Sequence, residues 1–190
     1  LPHLDEASRA HLRTLAAAYL RARGIDPVAF AEEVLAARPP FLQLRAKGLA
    51  PSTWSTLASE LDAMCIKMEA RFVVNDHPDV AYASAGRWVH VGQGDTSASE
   101  LRRLYPGLSF GVSTHSIAEL ERALVARPGY VAFGPIFGTT SKVDAEPTLG
   151  IGELAQAHLR AHAAPQPRVP RVVHVGAHHL ASDERPRLDP

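Results

Sequence analysis

Between Arg71 and Asp95 the chain reads R-F-V-V-N-D-H-P-D-V-A-Y-A-S-A-G-R-W-V-H-V-G-Q-G-D, the stretch that most restricts the fold. Two short β-branched or aromatic runs, Phe72-Val73-Val74 and Trp88-Val89-His90-Val91, flank an Ala-rich segment from Pro78 to Gly86 with helical character. A strand–helix–strand unit of this kind joins parallel strands by a crossover. Each run ends in polar residues, Asn75-Asp76 and Gly92-Gln93-Gly94-Asp95. Parallel pairing then puts Asp76 and Asp95 at the same carboxyl-terminal edge. Two carboxylates aimed at one point are unfavourable unless a cation or a proton sits between them. The pair is therefore a candidate Mg2+ site, completed by waters and substrate phosphates. Against this stands the ordinary role of an Asp after a strand, as a turn residue or a helix cap.

Length and charge narrow the partners. The chain has 190 residues, enough for one domain with a full core and too few for two comfortable ones. We expect a single α/β domain over 1–180 and a disordered Pro- and Arg-rich tail over 181–190. Lys+Arg and Asp+Glu both number 20, which argues against a general nucleic-acid surface or an acidic-membrane binder. The single cysteine, Cys65, excludes an internal disulfide and fits a reducing, cytoplasmic setting. No run is long enough to span a membrane, and no basic-then-apolar leader opens at Leu1.

Strands and helices alternate along the rest of the chain. Residues 5–23 are Ala-, Leu- and Arg-rich, lack Gly and Pro, and precede Gly24. They read as a helix with Leu12, Leu15 and Tyr19 on one face. Asp26-Pro27 starts a second helix, and Phe41–Arg45 is a short buried strand. Pro51-Ser52 opens a helix with an apolar stripe through Trp54, Leu57, Leu61, Met64, Cys65 and Met68, in which Cys65 is an inert buried thiol. Capping boxes at Ser97–Glu100 and Ser116–Glu119 open two more helices. Further strands are expected at Leu108–Val112, Tyr130–Phe133 and Arg171–Val175, with a helix near Ile151–His162. The pitch is that of an α/β barrel or an open parallel sheet. Six strands are recognisable where a closed (β/α)8 barrel needs eight. The first and eighth are expected before Leu1 and after Ala177.

Polar residues gather after the strands and not before them. Gln43/Arg45/Lys47, Asn75/Asp76, Asp95, Ser113/His115 and Thr139/Ser141/Lys142 all fall on one edge, the edge that carries active sites in barrels and open α/β sheets. Arg45 offers a planar fork for phosphate oxygens, and Lys47 and Lys142 add point charges. Thr139-Thr140-Ser141 offers hydroxyls and backbone N–H donors. Several cations plus a metal suit a diphosphate better than a single phosphate, and a departing diphosphate needs its growing charge stabilised. The His158/His162 and His178-His179 pairs lack a third ligand and read as solvated.

The segments Q-L-R-A-K (43–47), N-D (75–76), V-H-V-G-Q-G-D (89–95), G-V-S-T-H-S (111–116) and G-P-I-F-G-T-T-S-K (134–142) resemble, in order and spacing, the thiamine-phosphate synthase and thiazole tautomerase superfamily, and the synthases more closely. The resemblance runs continuously from Phe41 to Gly150. It implies a (β/α)8 barrel that couples hydroxymethylpyrimidine diphosphate to a thiazole phosphate and releases diphosphate. It further implies that Gln43, Arg45, Lys47, Asn75, Ser113 and Lys142 hold the pyrimidine diphosphate, that Asp76 and Asp95 bind Mg2+, and that Thr139, Thr140 and Ser141 meet the thiazole phosphate, with Gly176 nearby. Within the superfamily His115 is either a tautomerase proton shuttle or a neutral histidine fixing a loop; the loop role is the simpler expectation. The alternatives to a synthase are a thiazole phosphate tautomerase and a non-catalytic relative that binds a thiamine precursor. Two departures stand out. Ala177 replaces the second glycine of a pair usual after the seventh strand, and Leu180–Pro190 holds no counterpart of the eighth strand. We therefore expect slow turnover, weak thiazole phosphate binding, and exposed apolar surface or homo-oligomer formation.

Overall fold

A computed structural model describes residues 12–46, 48–136, 147–163 and 171–174. In chain order the elements are β1 (Leu12–Ala16), α1 (Ala17–Ala22), α2 (Pro27–Ala36), β2 (Phe41–Arg45), α3 (Pro51–Lys67), β3 (Arg71–Asn75), α4 (Pro78–Ala83), β4 (Trp88–Val91), α5 (Ala98–Leu104), β5 (Ser109–Thr114), α6 (Ile117–Val125), β6 (Tyr130–Phe133), α7 (Ile151–Ala163) and β7 (Arg171–His174). Among the described residues the seven strands form one sheet in sequential order, and every pairing is parallel.

The sheet curls. Strands β2 and β6 lie four places apart, which in a flat sheet is roughly 19 Å at about 4.8 Å per strand. Yet the rings of Phe41 on β2 and Tyr130 on β6 lie 5.6 Å apart, centroid to centroid. Only a sheet bent towards a barrel brings them together. The two faces accordingly bury different residues. Leu42, Leu44, Phe72, Val74, Val89, Val91 and Phe110 point outward into a core shared with Leu35, Trp54, Leu57, Leu61, Cys65 and Leu101 of the helices. A second core joins Val131 and Phe133 to Leu120, Leu124, Ala157 and Ala161 of α6 and α7. Phe41, Gln43, Val73, His90, Tyr130 and Ala132 are buried without belonging to either core, because they face the barrel interior.

The expected helix over residues 5–23 is corrected over its described part. Leu12–Ala16 is a strand, paired with β2 from Leu12↔Phe41 to Ala16↔Arg45, and only Ala17–Ala22 is helical. The first strand, expected before Leu1, therefore lies within the chain. Helix preferences differ by tenths of a kcal/mol per residue. An unpaired β2 edge would leave a whole row of backbone N–H and C=O groups open, and pairing satisfies it. Gly24, at φ 72, ends α1 as the composition suggested.

Local signals elsewhere hold. Asp26 caps α2, its carboxylate accepting from the Val28 and Ala29 N–H groups at 3.3 and 3.4 Å. Ser97 and Glu100 form a complete capping box on α5. At α6 the box is only half made: Ser116 Oγ accepts from Glu119 N–H, but the Glu119 carboxylate turns to His115 N–H, at 2.7 Å. Cys65 is buried, with its thiol pushed up to about 12, first by burial and then by the charge of Asp62. No helix among the described residues is long and apolar enough to cross a membrane.

Candidate active site

The barrel interior changes character along the strands. At the amino-terminal end Phe41, Trp88 and Tyr130 pack ring to ring, Trp88 and Tyr130 stacked at 5.9 Å and Phe41 edge-on to Trp88 at 5.8 Å. The guanidinium of Arg71 lies over both Phe41 and Trp88, at 5.5 and 5.6 Å. Trp88 fits because Gly129 has no side chain: a Cβ there would meet the indole at 2.3 Å.

Two residues further along, the interior turns polar. Gln43 on β2 donates from Nε2 to Asn75 Oδ1 on β3 at 2.9 Å, locking two amides expected to hold the substrate. Arg45 is half-buried and in phase with Phe41 and Gln43. Register carries this layer around the barrel, with Asn75↔His90, His90↔Gly111 and Gly111↔Tyr130 aligned across β3 to β6. His90 Nδ1 lies 2.8 Å from the Tyr130 hydroxyl and Nε2 lies 2.7 Å from Ser113 Oγ. The Tyr130 ring reaches His90 by crossing β5 where Gly111 stands. A Cβ on Gly111 would sit 2.1 Å from that ring. Burial drives His90 down to about 4, against the opposing pull of the Asp95 charge, so the ring is neutral near pH 7. Burial also raises the Tyr130 phenol, which stays protonated.

The two candidate metal carboxylates follow adjacent parallel strands on the same edge. Asp76 adopts φ 64, a left-handed turn that Asp tolerates, and its N–H donates to His90 C=O at 3.0 Å. The N-cap position of α4 is His77, without a side-chain cap bond, so capping does not account for Asp76. Asp95 has a local duty: Oδ2 accepts from Gly92 N–H at 2.7 Å and closes the turn after β4. Among the described residues no group of three or more His, Cys, Asp or Glu gathers. Two carboxylates without imidazole or thiolate suit a hard cation that keeps waters and phosphates in its shell.

His115 fixes a loop. Its Nδ1 hydrogen-bonds Gly134 C=O beyond β6, and its N–H donates to Glu119. Lys47, Thr139, Thr140, Ser141, Lys142 and Gly176 lie outside the described residues, as does the tail over 181–190. His158 is half-buried on α7. The sequence reading passed over His90, Gly111, Tyr130 and Gln93, whose side-chain amide donates to Ser113 C=O. The available signal was a histidine in an apolar strand, in phase with the inward Trp88.

The family model described as thiamine monophosphate synthase matches residues 18–182. The chain belongs to the thiamine monophosphate synthase family. Membership makes it a thiamine-phosphate synthase-like transferase of thiamine biosynthesis, and the match extends well beyond the Phe41–Gly150 stretch. The chain is 34% identical over 161 residues to the thiamine-phosphate synthase of Lysinibacillus sphaericus, covering 83% of this chain and 73% of the relative. It is 37% identical over 150 residues to that of Anoxybacillus flavithermus, covering 77% and 67%. With that of Methanoregula boonei it shares 40% over 116 residues, 60% of this chain and 54% of the other. The fold is similar to the thiamine phosphate pyrophosphorylase from Pyrococcus furiosus, with TM-score 0.73 at 22% identity over 90% of this chain and 76% of that one.

Proposed function

We propose that the chain couples hydroxymethylpyrimidine diphosphate to a thiazole phosphate, with Mg2+ at Asp76 and Asp95. The observation that carries this reading is the Gln43–Asn75 hydrogen bond, which joins neighbouring strands β2 and β3 into one amide surface next to Asp76 in the chain. In this reading the amide surface orients the pyrimidine. Arg45, Lys47, Ser113 and Lys142 receive the diphosphate, and Thr139, Thr140, Ser141 and Gly176 meet the thiazole phosphate. The curled sheet is then part of a (β/α)8-type barrel, one domain over 1–180, with seven strands among the described residues.

The reaction needs little proton chemistry. The carbon–oxygen bond to diphosphate breaks with its electron pair leaving on oxygen, and the pyrimidine ring stabilises the methylene cation. The thiazole nitrogen then forms the new carbon–nitrogen bond with its lone pair. Arg45, Lys47 and Lys142 stabilise the charge that grows on the leaving oxygen. A bound Mg2+ would add charge compensation for the diphosphate oxygens. Engagement of His115 Nδ1 by Gly134 C=O supports loop fixing over proton shuttling.

The test is release of diphosphate from both substrates together. We expect release that requires Mg2+ and stops with a chelator. Proton exchange into the thiazole phosphate alone, without diphosphate release, would instead identify a tautomerase.

A further inference from the structure

We propose that Tyr130 and His90 are positioning residues for Ser113, forming a buried hydrogen-bond relay whose direction turns the Ser113 hydroxyl proton outward as a donor to an anionic substrate oxygen. The proposal rests on the reading of Ser113 as a pyrimidine diphosphate contact and assigns roles to two residues that reading leaves without one.

The direction follows from counting protons. Tyr130 is 1% exposed, and among the described residues the one polar side-chain atom bonded to its hydroxyl is His90 Nδ1, at 2.8 Å. Were Nδ1 to carry the proton, the phenol would accept it and its own O–H would point into the interior without an acceptor among the described residues. An unsatisfied buried donor costs about 1–3 kcal/mol. The phenol therefore donates and Nδ1 accepts. A neutral imidazole has one donor and one acceptor, so the ring proton sits on Nε2. That N–H donates to Ser113 Oγ at 2.7 Å. With its oxygen occupied as an acceptor from the interior side, the serine has its own proton left to give.

The surroundings keep the relay rigid. The imidazole and phenol rings stack at 15°, and Trp88 backs the phenol at 21°. Gly111 is the gap in β5 through which the phenol crosses to β4. Gln93 holds the Ser113 carbonyl from the other side. None of these contacts needs the hydroxyl of Tyr130, so removing that oxygen isolates the direction of the relay from its packing.

The experiment uses the full chain with 15N-labelled histidine, His90 being assigned by difference with His90→Gln. Long-range 15N–1H spectra near pH 7.5 report which ring nitrogen carries the proton. Calorimetry with inorganic pyrophosphate and Mg2+ gives affinities for the wild type, Tyr130→Phe, Ser113→Ala and the double variant. We expect an Nε2–H ring in the wild type and an admixture of the Nδ1–H form in Tyr130→Phe. Tyr130→Phe should weaken pyrophosphate about fivefold, the scale of one hydrogen bond, and the double variant should bind no more weakly than Ser113→Ala. An Nδ1–H ring in the wild type would overturn the relay. So would a Tyr130→Phe effect equally large with and without the Ser113 hydroxyl, since that is loss of packing. Should Tyr130→Phe fail to fold, the wild-type tautomer decides alone. A wild type that shows the relay and binds pyrophosphate but never couples the two substrates removes the synthase reading and leaves the relay standing.

Discussion

The two ends of the barrel interior are built on the same strands, two residues apart, and they do opposite things. Phe41, Arg71 and Trp88 give way to Gln43, Val73 and His90, and then to Arg45, Asn75 and Gly92. The first set is a stack of rings closed by a guanidinium. The second and third sets hold hydrogen-bonded amides, a buried imidazole and a cation. Tyr130 belongs to both ends, its ring in the stack and its hydroxyl on His90. The difference teaches that strand period, not sequence distance, separates the two ends here: every second residue faces inward, and the proposed function assigns ligand contacts only to the carboxyl-terminal ones.

The largest break in this comparison should come from Arg45→Ala. Removing one preorganised charge donor should weaken the transition state by about 2–4 kcal/mol, seen as a fall in kcat with little change in the unfolding midpoint. Equal losses in turnover and stability would assign Arg45 to the structural end.

Acid should break the polar end next. The His90 pKa is lowered to about 4 from 6.5, so its neutral burial adds stability that is fully present above pH 6.5 and lost as pH falls through 4. The full difference is roughly 3 kcal/mol. Urea unfolding at pH 7.5 and pH 4.5 should show most of it in the wild type and not in His90→Asn; equal slopes with pH in both would remove His90 as the cause.

Gly111→Ala should be felt at both ends at once. The added methyl meets the Tyr130 ring and must displace it, costing about 1–3 kcal/mol of stability. It should also loosen the contact from Tyr130 to His90. A variant as stable as the wild type would mean that the phenol does not cross β5 at this point.

Ser97→Ala lies outside both ends and sharpens the contrast. Loss of the capping box on α5 should cost about 1 kcal/mol in thermal unfolding and leave turnover unchanged.

Much of this architecture was legible in the sequence, for identifiable reasons. The βαβ unit from Arg71 to Asp95 carries β-branched strands and a Pro-started helix, so local preference and global pairing agree. The polar residues after each strand could be placed on one edge because parallel topology leaves no other arrangement. The strand at Leu12–Ala16 was not legible: Leu, Arg and Ala favour helix, and what makes them a strand is the open edge of β2, which no local pattern records. The Tyr130–His90–Ser113 line was missed for a related reason. It depends on the register that puts Gly111 between His90 and Tyr130, and register is a property of three strands together. Asp95 was legible both as an edge carboxylate and as a turn residue; which backbone N–H it takes is set by the local path of Gly92–Asp95.

The most direct test of the division is Asp95→Asn, measured for Mg2+-dependent diphosphate release and for unfolding on the same preparation. The substitution keeps an oxygen for Gly92 N–H and removes the charge. We predict release at least about tenfold slower, with an unfolding midpoint close to that of the wild type. Unchanged release alongside a lowered midpoint would contradict the account, leaving Asp95 a turn residue and the carboxyl-terminal edge without its metal.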